Sequence, residues 1–253
     1  MNTKLKLFSL LFITAALAGC DAGSESPFSP GSSDSSSTNA ITLNKLTIAV
    51  DNTEPGIIEV TFGDATPATN NTPVDDIFSI NSTTIGEELV FTAFGADSSG
   101  FKTSGNNMTF RSNYGSIESS CTLTDGSCTV TLTTLGQRPP ITDDPFTGKE
   151  EIVANIVVYT LGEESYFDAN GNGVFDDGDT FGPGNDVDEP YLDNNNNNVF
   201  DQGIDEPIDI NNDGIHNGVD GLYSGNDCQH PTLCSPSPSI TIWTNMDLTL
   251  STE

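Results

Sequence analysis

Twelve residues, DANGNGVFDDGD from Asp168 to Asp179, hold six acidic or amide side chains with glycines between them. Oxygen donors at alternating positions suit a divalent cation. A calcium loop takes side-chain oxygens from positions 1, 3 and 5 and a backbone carbonyl from position 7. Position 9 often ligates through water, position 12 is a carboxylate, and position 6 tolerates positive φ. Counting from Asp168, these places fall on Asp168, Asn170, Asn172, Gly173, Val174, Asp176 and Asp179, and each residue type fits. Phe175 at position 8 is apolar and can pin the loop to a neighbour.

A second match, DINNDGIHNGVD, supplies Asp209, Asn211, Asp213, Gly214, Ile215, Asn217 and Asp220. Between the two lies DNNNNNVFDQGIDE, with Asp193, Asn195, Asn197, Val199 and Asp201 in place. Asn198 stands where glycine is usual, and asparagine accepts the left-handed region. Position 12 is Ile204, so Asp205 or Glu206 has to close this loop from one or two residues further on. An apolar residue precedes each loop (Phe167, Leu192, Ile208), and a branched one holds each position 7 (Val174, Val199, Ile215). A disordered acidic tail does not keep apolar residues in such register.

The surrounding charge makes the same point. Of the 253 residues 37 are acidic and 7 are Lys or Arg, a formal charge of −30. Between Glu163 and Asp227 there are 17 acids and 12 asparagines without one Lys or Arg, and no Lys or Arg follows Lys149. Such a segment is either disordered or held by cations, because self-repulsion opposes compaction. The same charge excludes nucleic acid and anionic lipid surfaces as partners, since both need cationic side chains.

The flanks of the loops are not helical: TFGPGND follows Asp179 and GLYSGND follows Asp220. The segment resembles thrombospondin type-3 and dockerin-type calcium loops more than EF-hand pairs. The resemblance implies that Ca2+ acts as a structural core and not as a cytosolic signal, with extracellular-type affinities of about 10⁻⁴ to 10⁻³ M.

The elements that must carry these loops read as β-structure. From Ile41 to about Leu161 the apolar runs KLTIAV, GIIEVTF, ELVFTAF, NMTF, CTVTL and EIVANIVVYTL are short, rich in Val, Ile, Thr and Phe, and separated by turn residues. This predicts an all-β sandwich of about seven strands. MTFRSNYGSIESSCTLTDGSCTVTL resembles the bacterial Ig-like domains of invasin and intimin, through Phe110, Gly115-Ser116-Ile117, Thr124-Asp125-Gly126, Val130 and Leu132. That resemblance implies an extracytoplasmic binding or spacer module without catalytic residues. The cysteines depart from its common pattern.

At the C-terminus the even positions of Ile240 to Leu250 are Ile, Ile, Thr, Met, Leu and Leu, with Trp243 the exception among mainly polar odd positions. This is a half-buried strand. It is expected beside the Ile152–Thr160 strand, which makes the acidic segment an insertion before the last strand. Pairing with another subunit or domain is the alternative.

Of the five cysteines, Cys121 and Cys128 flank a turn and Cys228 and Cys234 flank QHPTL. Four cysteines allow three connectivities, and sequence proximity favours these two pairs. If Cys121 and Cys128 lie directly opposite, the loop is Leu123 to Gly126. If Asp125-Gly126 alone forms the turn, the pair is diagonal and harder to bridge. We expect the bridged arrangement with the four-residue loop.

The fifth is Cys20. A basic start at Lys4 and Lys6, an apolar run from Leu7 to Leu17 and Leu17-Ala18-Gly19-Cys20 resemble the signal and lipobox of bacterial lipoproteins. The resemblance implies acylation of Cys20 and a membrane partner held through N-terminal lipid, in the cell envelope. Asp21 resembles an inner-membrane retention signal of enteric bacteria; other lineages read the position differently, so either membrane remains open. Residues 21–40 contain eight serines, a tether with a reach of roughly 25 Å.

The chain thus divides into a signal (1–19), lipidated Cys and tether (20–40), sandwich (41–162), calcium segment (163–227), and disulfide loop with closing strand (228–253). Catalysis finds little support. His216 is position 8 of a loop and expected to be exposed, His230 sits between two cysteines, and no H-E-x-x-H, G-x-S-x-G or P-loop is present. The expectation is a non-catalytic envelope protein in adhesion or spacing, with a surface protein or glycan as ligand. A calcium-dependent carbohydrate binder, or the accessory domain of an envelope enzyme, is the alternative.

Overall fold

A computed structural model describes residues 40–51, 78–81, 85–136, 141–143 and 150–251. The signal, Cys20, nearly all of the tether and the expected GIIEVTF strand lie outside the described residues. Strands β1 (Ile41–Thr42), β2 (Thr47–Asp51), β3 (Phe78–Asn81), β4 (Ile85–Phe94) and β5 (Asn107–Ser112) come first. β6 (Ser116–Ile117), β7 (Ser120–Thr122), β8 (Ser127–Leu135), β9 (Ile141–Asp143) and β10 (Glu150–Glu163) follow. β11 (Tyr191–Leu192), β12 (Glu206–Pro207) and β13 (Ile240–Ser251) complete the set. Among the described residues no helix is long and apolar enough to cross a membrane.

The strands form an all-β sandwich. One sheet runs β3-β13-β10-β5-β7, with β1 and β9 also on β10; the other runs β2-β4-β8-β6. Alternation decides which side chains meet between them. Leu89, Phe91 and Ala93 of β4 and Val130 and Leu132 of β8 face Met108 and Phe110 of β5. Ala154, Ile156 and Val158 of β10 and Ile242, Met246 and Leu248 of β13 complete the same core. Each fully buried Phe or Leu contributes about 1.5–3 kcal/mol. At Gly162 the backbone of β1 passes so close that a Cβ would strike the Ile41 carbonyl, so only glycine fits.

The last strand pairs where the alternation placed it. β13 runs antiparallel to β10 from Ile152↔Leu250 to Gly162↔Ile240, and the acidic segment is inserted between these two neighbours. β10 is buried on both faces. Ala154, Ile156 and Val158 enter the sandwich core, while Val153, Asn155 and Val157 on the other face are also buried. Trp243, the exception on β13, lies on that outer face and donates its indole N–H to the Asp188 carbonyl at 3.0 Å. The insertion therefore docks on the outside of the β10–β13 sheet.

Both expected disulfides are present, Cys121–Cys128 and Cys228–Cys234. The route of the first differs from expectation. Asp125 and Gly126 form a two-residue turn at φ 52° and 80°, bridged by Thr124↔Ser127, so the four-residue loop is not formed. The cysteines are bonded nonetheless, with Cα atoms 5.9 Å apart. The reason is that β7 leaves its hairpin partner: Cys121 pairs with Met108 in one sheet and Cys128 with Ala93 in the other. The bond staples the two sheets instead of crossing a ladder.

Candidate metal centres

The three loops share one hydrogen-bond scheme. At position 1 each aspartate accepts the N–H of position 6: Gly173 on Asp168, Asn198 on Asp193 and Gly214 on Asp209, at 2.7–2.8 Å. At position 3, Asn170, Asn195 and Asn211 each accept the N–H two residues on. At position 5, Asn172, Asn197 and Asp213 do the same for Val174, Val199 and Ile215. Position 9 accepts an amide N–H from position 3 on Asp176 and Asp201, and in the third loop the Asn211 and Asn217 amides meet at 2.8 Å.

Such tight winding needs left-handed residues. Position 6 has positive φ in all three loops, at Gly173, Asn198 and Gly214, so asparagine does replace glycine in the middle loop. Position 4 also has positive φ throughout, at Gly171, Asn196 and Asn212. The sequence carried that second signal, since only Gly and Asn occupy position 4, and it escaped the ligand count.

The closing carboxylates separate the loops. In the first, Asp179 accepts the N–H groups of Ala169 and Asp176, both at 2.9 Å. In the middle loop Asp205, not Glu206, accepts those of Asn194 and Asp201 at 2.9 and 2.7 Å. Asp205 thus reproduces Asp179 from a loop one residue longer. Glu206 is exposed on β12. In the third loop Asp220 does not take this place. Its N–H donates to Asp186 and its carboxylate accepts the Leu222 N–H. The N–H groups of Ile210 and Asn217, at positions 2 and 9, go to Glu189 at 3.3 and 3.0 Å.

Aromatic side chains at position 8 seat the loops. Phe175 is fully buried, stacked on His230 at 5.1 Å, and packed with Tyr166, Phe181 and Tyr223. Phe200 stacks on His216 at 3.9 Å beside Tyr191, which meets Trp243 edge-on. His216 is therefore not exposed as expected; its Nε2–H donates to the Glu189 carbonyl at 2.7 Å. The branched residues at position 7 contribute little to packing: Val199 and Ile215 are about 60% exposed, and Phe167 ahead of the first loop is exposed too. The apolar register matters at position 8.

Asn155 and Asn113 fix the middle loop to the sandwich. Asn155, fully buried on β10, accepts the Asp193 N–H at 3.2 Å and donates to Asp247 at 2.8 Å. Asn113 accepts the Asn155 N–H and donates to Asn194 at 3.1 Å. Glu164 does similar work for the remaining chain, accepting the N–H groups of Val187 and Ser224.

These contacts bury charge. Asp193 is 1% exposed and burial raises its pKa, with Asp205 beside it adding to the shift. Burial also raises Asp186, Asp188 and Glu163, and pushes Glu164 up to about 7. The exposed carboxylates go the other way: the Gly173 N–H lowers Asp168, and the Asn195 and Asn197 amides lower Asp201. The loop whose spacing fits least well is the one whose carboxylates are buried deepest.

The residues fit a hard cation by donor chemistry. The side chains at the alternating positions carry oxygen donors, and the buried Asp193–Asp205 pair has no Lys or Arg in its segment to offset it. Among the described residues no three His, Cys, Asp or Glu side chains come together closely enough to hold an ion unaided. No family model, curated protein or solved structure matches the chain.

Proposed function

We propose that this is a non-catalytic, lipid-anchored envelope protein whose Ig-like sandwich carries a calcium-stiffened insertion and serves adhesion or spacing. The observation that carries the reading is the loop scheme repeated three times around carboxylates that no lysine or arginine of the insertion neutralises. Asp168, Asn170, Asn172, Asp176 and Asp179, with the Val174 carbonyl, would hold one ion. Asp193, Asn195, Asn197, Asp201 and Asp205, with the Val199 carbonyl, would hold a second. Asp209, Asn211, Asp213 and Asn217, with the Ile215 carbonyl, offer most of a third set. The ions supply positive charge where the chain has none. Rigid loops suit adhesion because a ligand then pays less to order them.

The lipid anchor rests on the sequence from Leu17 to Cys20, which resembles a lipobox. Envelope location agrees with the two disulfides, which form in oxidising compartments. Isothermal titration of the metal-free protein with Ca2+ tests the reading. Saturable binding of two or three ions with dissociation constants of about 10⁻⁴ to 10⁻³ M is expected. Absence of binding up to about 10 mM, well above that range, overturns it.

A further inference from the structure

We infer that Glu189, and not Asp220, supplies the closing carboxylate of the third cation loop; the inference rests on the calcium reading above. The argument is a comparison within the chain. In the first two loops one carboxylate receives the N–H groups of positions 2 and 9, and that carboxylate is Asp179 or Asp205. In the third loop the same two positions donate to Glu189.

The short ribbon of β11 and β12 explains why an acid 20 residues ahead of the loop arrives there. Its register is Tyr191↔Pro207 and Leu192↔Glu206. Continued one step past Leu192, it sets Asp193 opposite Asp205, the first and closing acids of the middle loop. Continued two steps the other way, past Pro190 and Ile208, it sets Glu189 opposite Asp209. The two ends of one ribbon thus each bring together a first-position aspartate and a closing acid. The second end is pinned: Ile208 N–H donates to the Pro190 carbonyl, Glu189 N–H to the Asn217 carbonyl, and His216 to the Glu189 carbonyl. Asp220 is held elsewhere by Asp186 and Leu222. The third site is therefore made by two separate segments, and an ion in it ties the entrance of the ribbon to the loop after it.

Calcium alone, titrated into the isotopically labelled full chain, distinguishes the possibilities. The amides of Gly173 and Gly214, each donating to the first aspartate of its loop, report the first and third loops separately. Glu189→Gln is expected to raise the calcium midpoint at Gly214 at least tenfold, roughly the scale of losing a supporting ligand contact, and to leave Gly173 unchanged. Asp220→Asn is expected to leave both midpoints within about twofold, far below that scale. A loss at Gly214 in Asp220→Asn as large as in Glu189→Gln, or no loss in either, overturns the assignment. A wild-type response at Gly173 without one at Gly214 overturns it while leaving the calcium reading intact. No response at either glycine overturns both. An unchanged Gly173 curve in Glu189→Gln shows that the variant is folded.

Discussion

The sandwich and its insertion exclude water by opposite means. Between the sheets, Phe91, Phe110, Ile156 and Leu248 meet in one continuous apolar core. In the insertion the buried apolar groups are two small aromatic clusters around Phe175 and Tyr191 together with Val187 and Leu192, and the carboxylates of Glu163, Glu164, Asp193 and Asp205 are buried beside them. Apolar burial needs no partner from solution. Carboxylate burial needs a proton or a cation, because desolvation penalises the charged form. The sandwich should therefore be indifferent to ions and pH, and the insertion should respond to both.

The widest contrast comes from removing one ring in each region. Phe91→Ala is expected to destabilise the whole protein by about 3–5 kcal/mol, by the same amount with calcium or with chelator. Phe175→Ala should instead release the insertion locally, seen as loss of amide protection from Tyr166 to His230 while β4 and β8 stay protected. Equal, global loss in both variants would show that the two regions are one cooperative unit.

Calcium comes next. At a concentration ten times the dissociation constant, each site adds about 1.4 kcal/mol, so three add about 4 kcal/mol. Hydrogen exchange with and without chelator should place this difference in residues 163–227 and not in the sandwich core. Unchanged exchange in the insertion would leave its buried acids to be explained by protons.

How much of this contrast could be read beforehand follows from what each region uses. Strands reveal themselves through alternation, and the even residues of β13 were enough to place it beside β10, because one face meets an apolar core. Trp243 broke the pattern for a reason the pattern lacks: its face is covered by a segment more than 50 residues away, through Asp188. The donor spacing located the three tightly wound turns because their hydrogen bonds are local. It pointed to Asp220 for the third closing place because counting stays within one loop, whereas the acid that accepts the Ile210 and Asn217 N–H groups, Glu189, comes from a separate segment. Proximity paired Cys121 with Cys128, but the change of sheet between them depends on β5 and β4, which no local spacing encodes.

A smaller effect, with the opposite sign from that usual for carboxylates, is expected from pH. Glu164 ordinarily titrates near 4.5 and is pushed to about 7 by burial. The folded state then binds the proton more tightly than the unfolded state, so stability falls as pH rises from about 4.5 to 7 and is regained on acidification. Burial shifts Glu163, Asp186, Asp188 and Asp193 in the same direction. For Glu164 alone the effect is at most about 3 kcal/mol. Thermal melts of the metal-free protein should therefore rise between pH 7.5 and 5. Those in saturating calcium should not, because protons compete with the ion for the same oxygens. A melting temperature in chelator that drops over this range would show that these carboxylates are solvated.

The smallest effect probes the seam between the two regions. Asn155→Ala removes the acceptor of the Asp193 N–H and the donor to Asp247. A buried N–H left unpaired costs about 1–3 kcal/mol, and denaturation of the metal-free variant should show a loss in that range. The more telling readout is calcium affinity at the middle loop, followed at the Asn198 amide, which donates to Asp193. Asn155 sets the backbone of Asp193, so its loss should weaken this loop about tenfold, the low end of the effect of losing a group that orients a ligand, and leave Gly173 in the first loop unmoved. A stability loss without a change at Asn198 would mean that β10 merely supports the insertion. Both changes together would mean that the sandwich orients the ligand, and ion binding in the middle loop must then stabilise the β10–β13 sheet by the same coupling free energy.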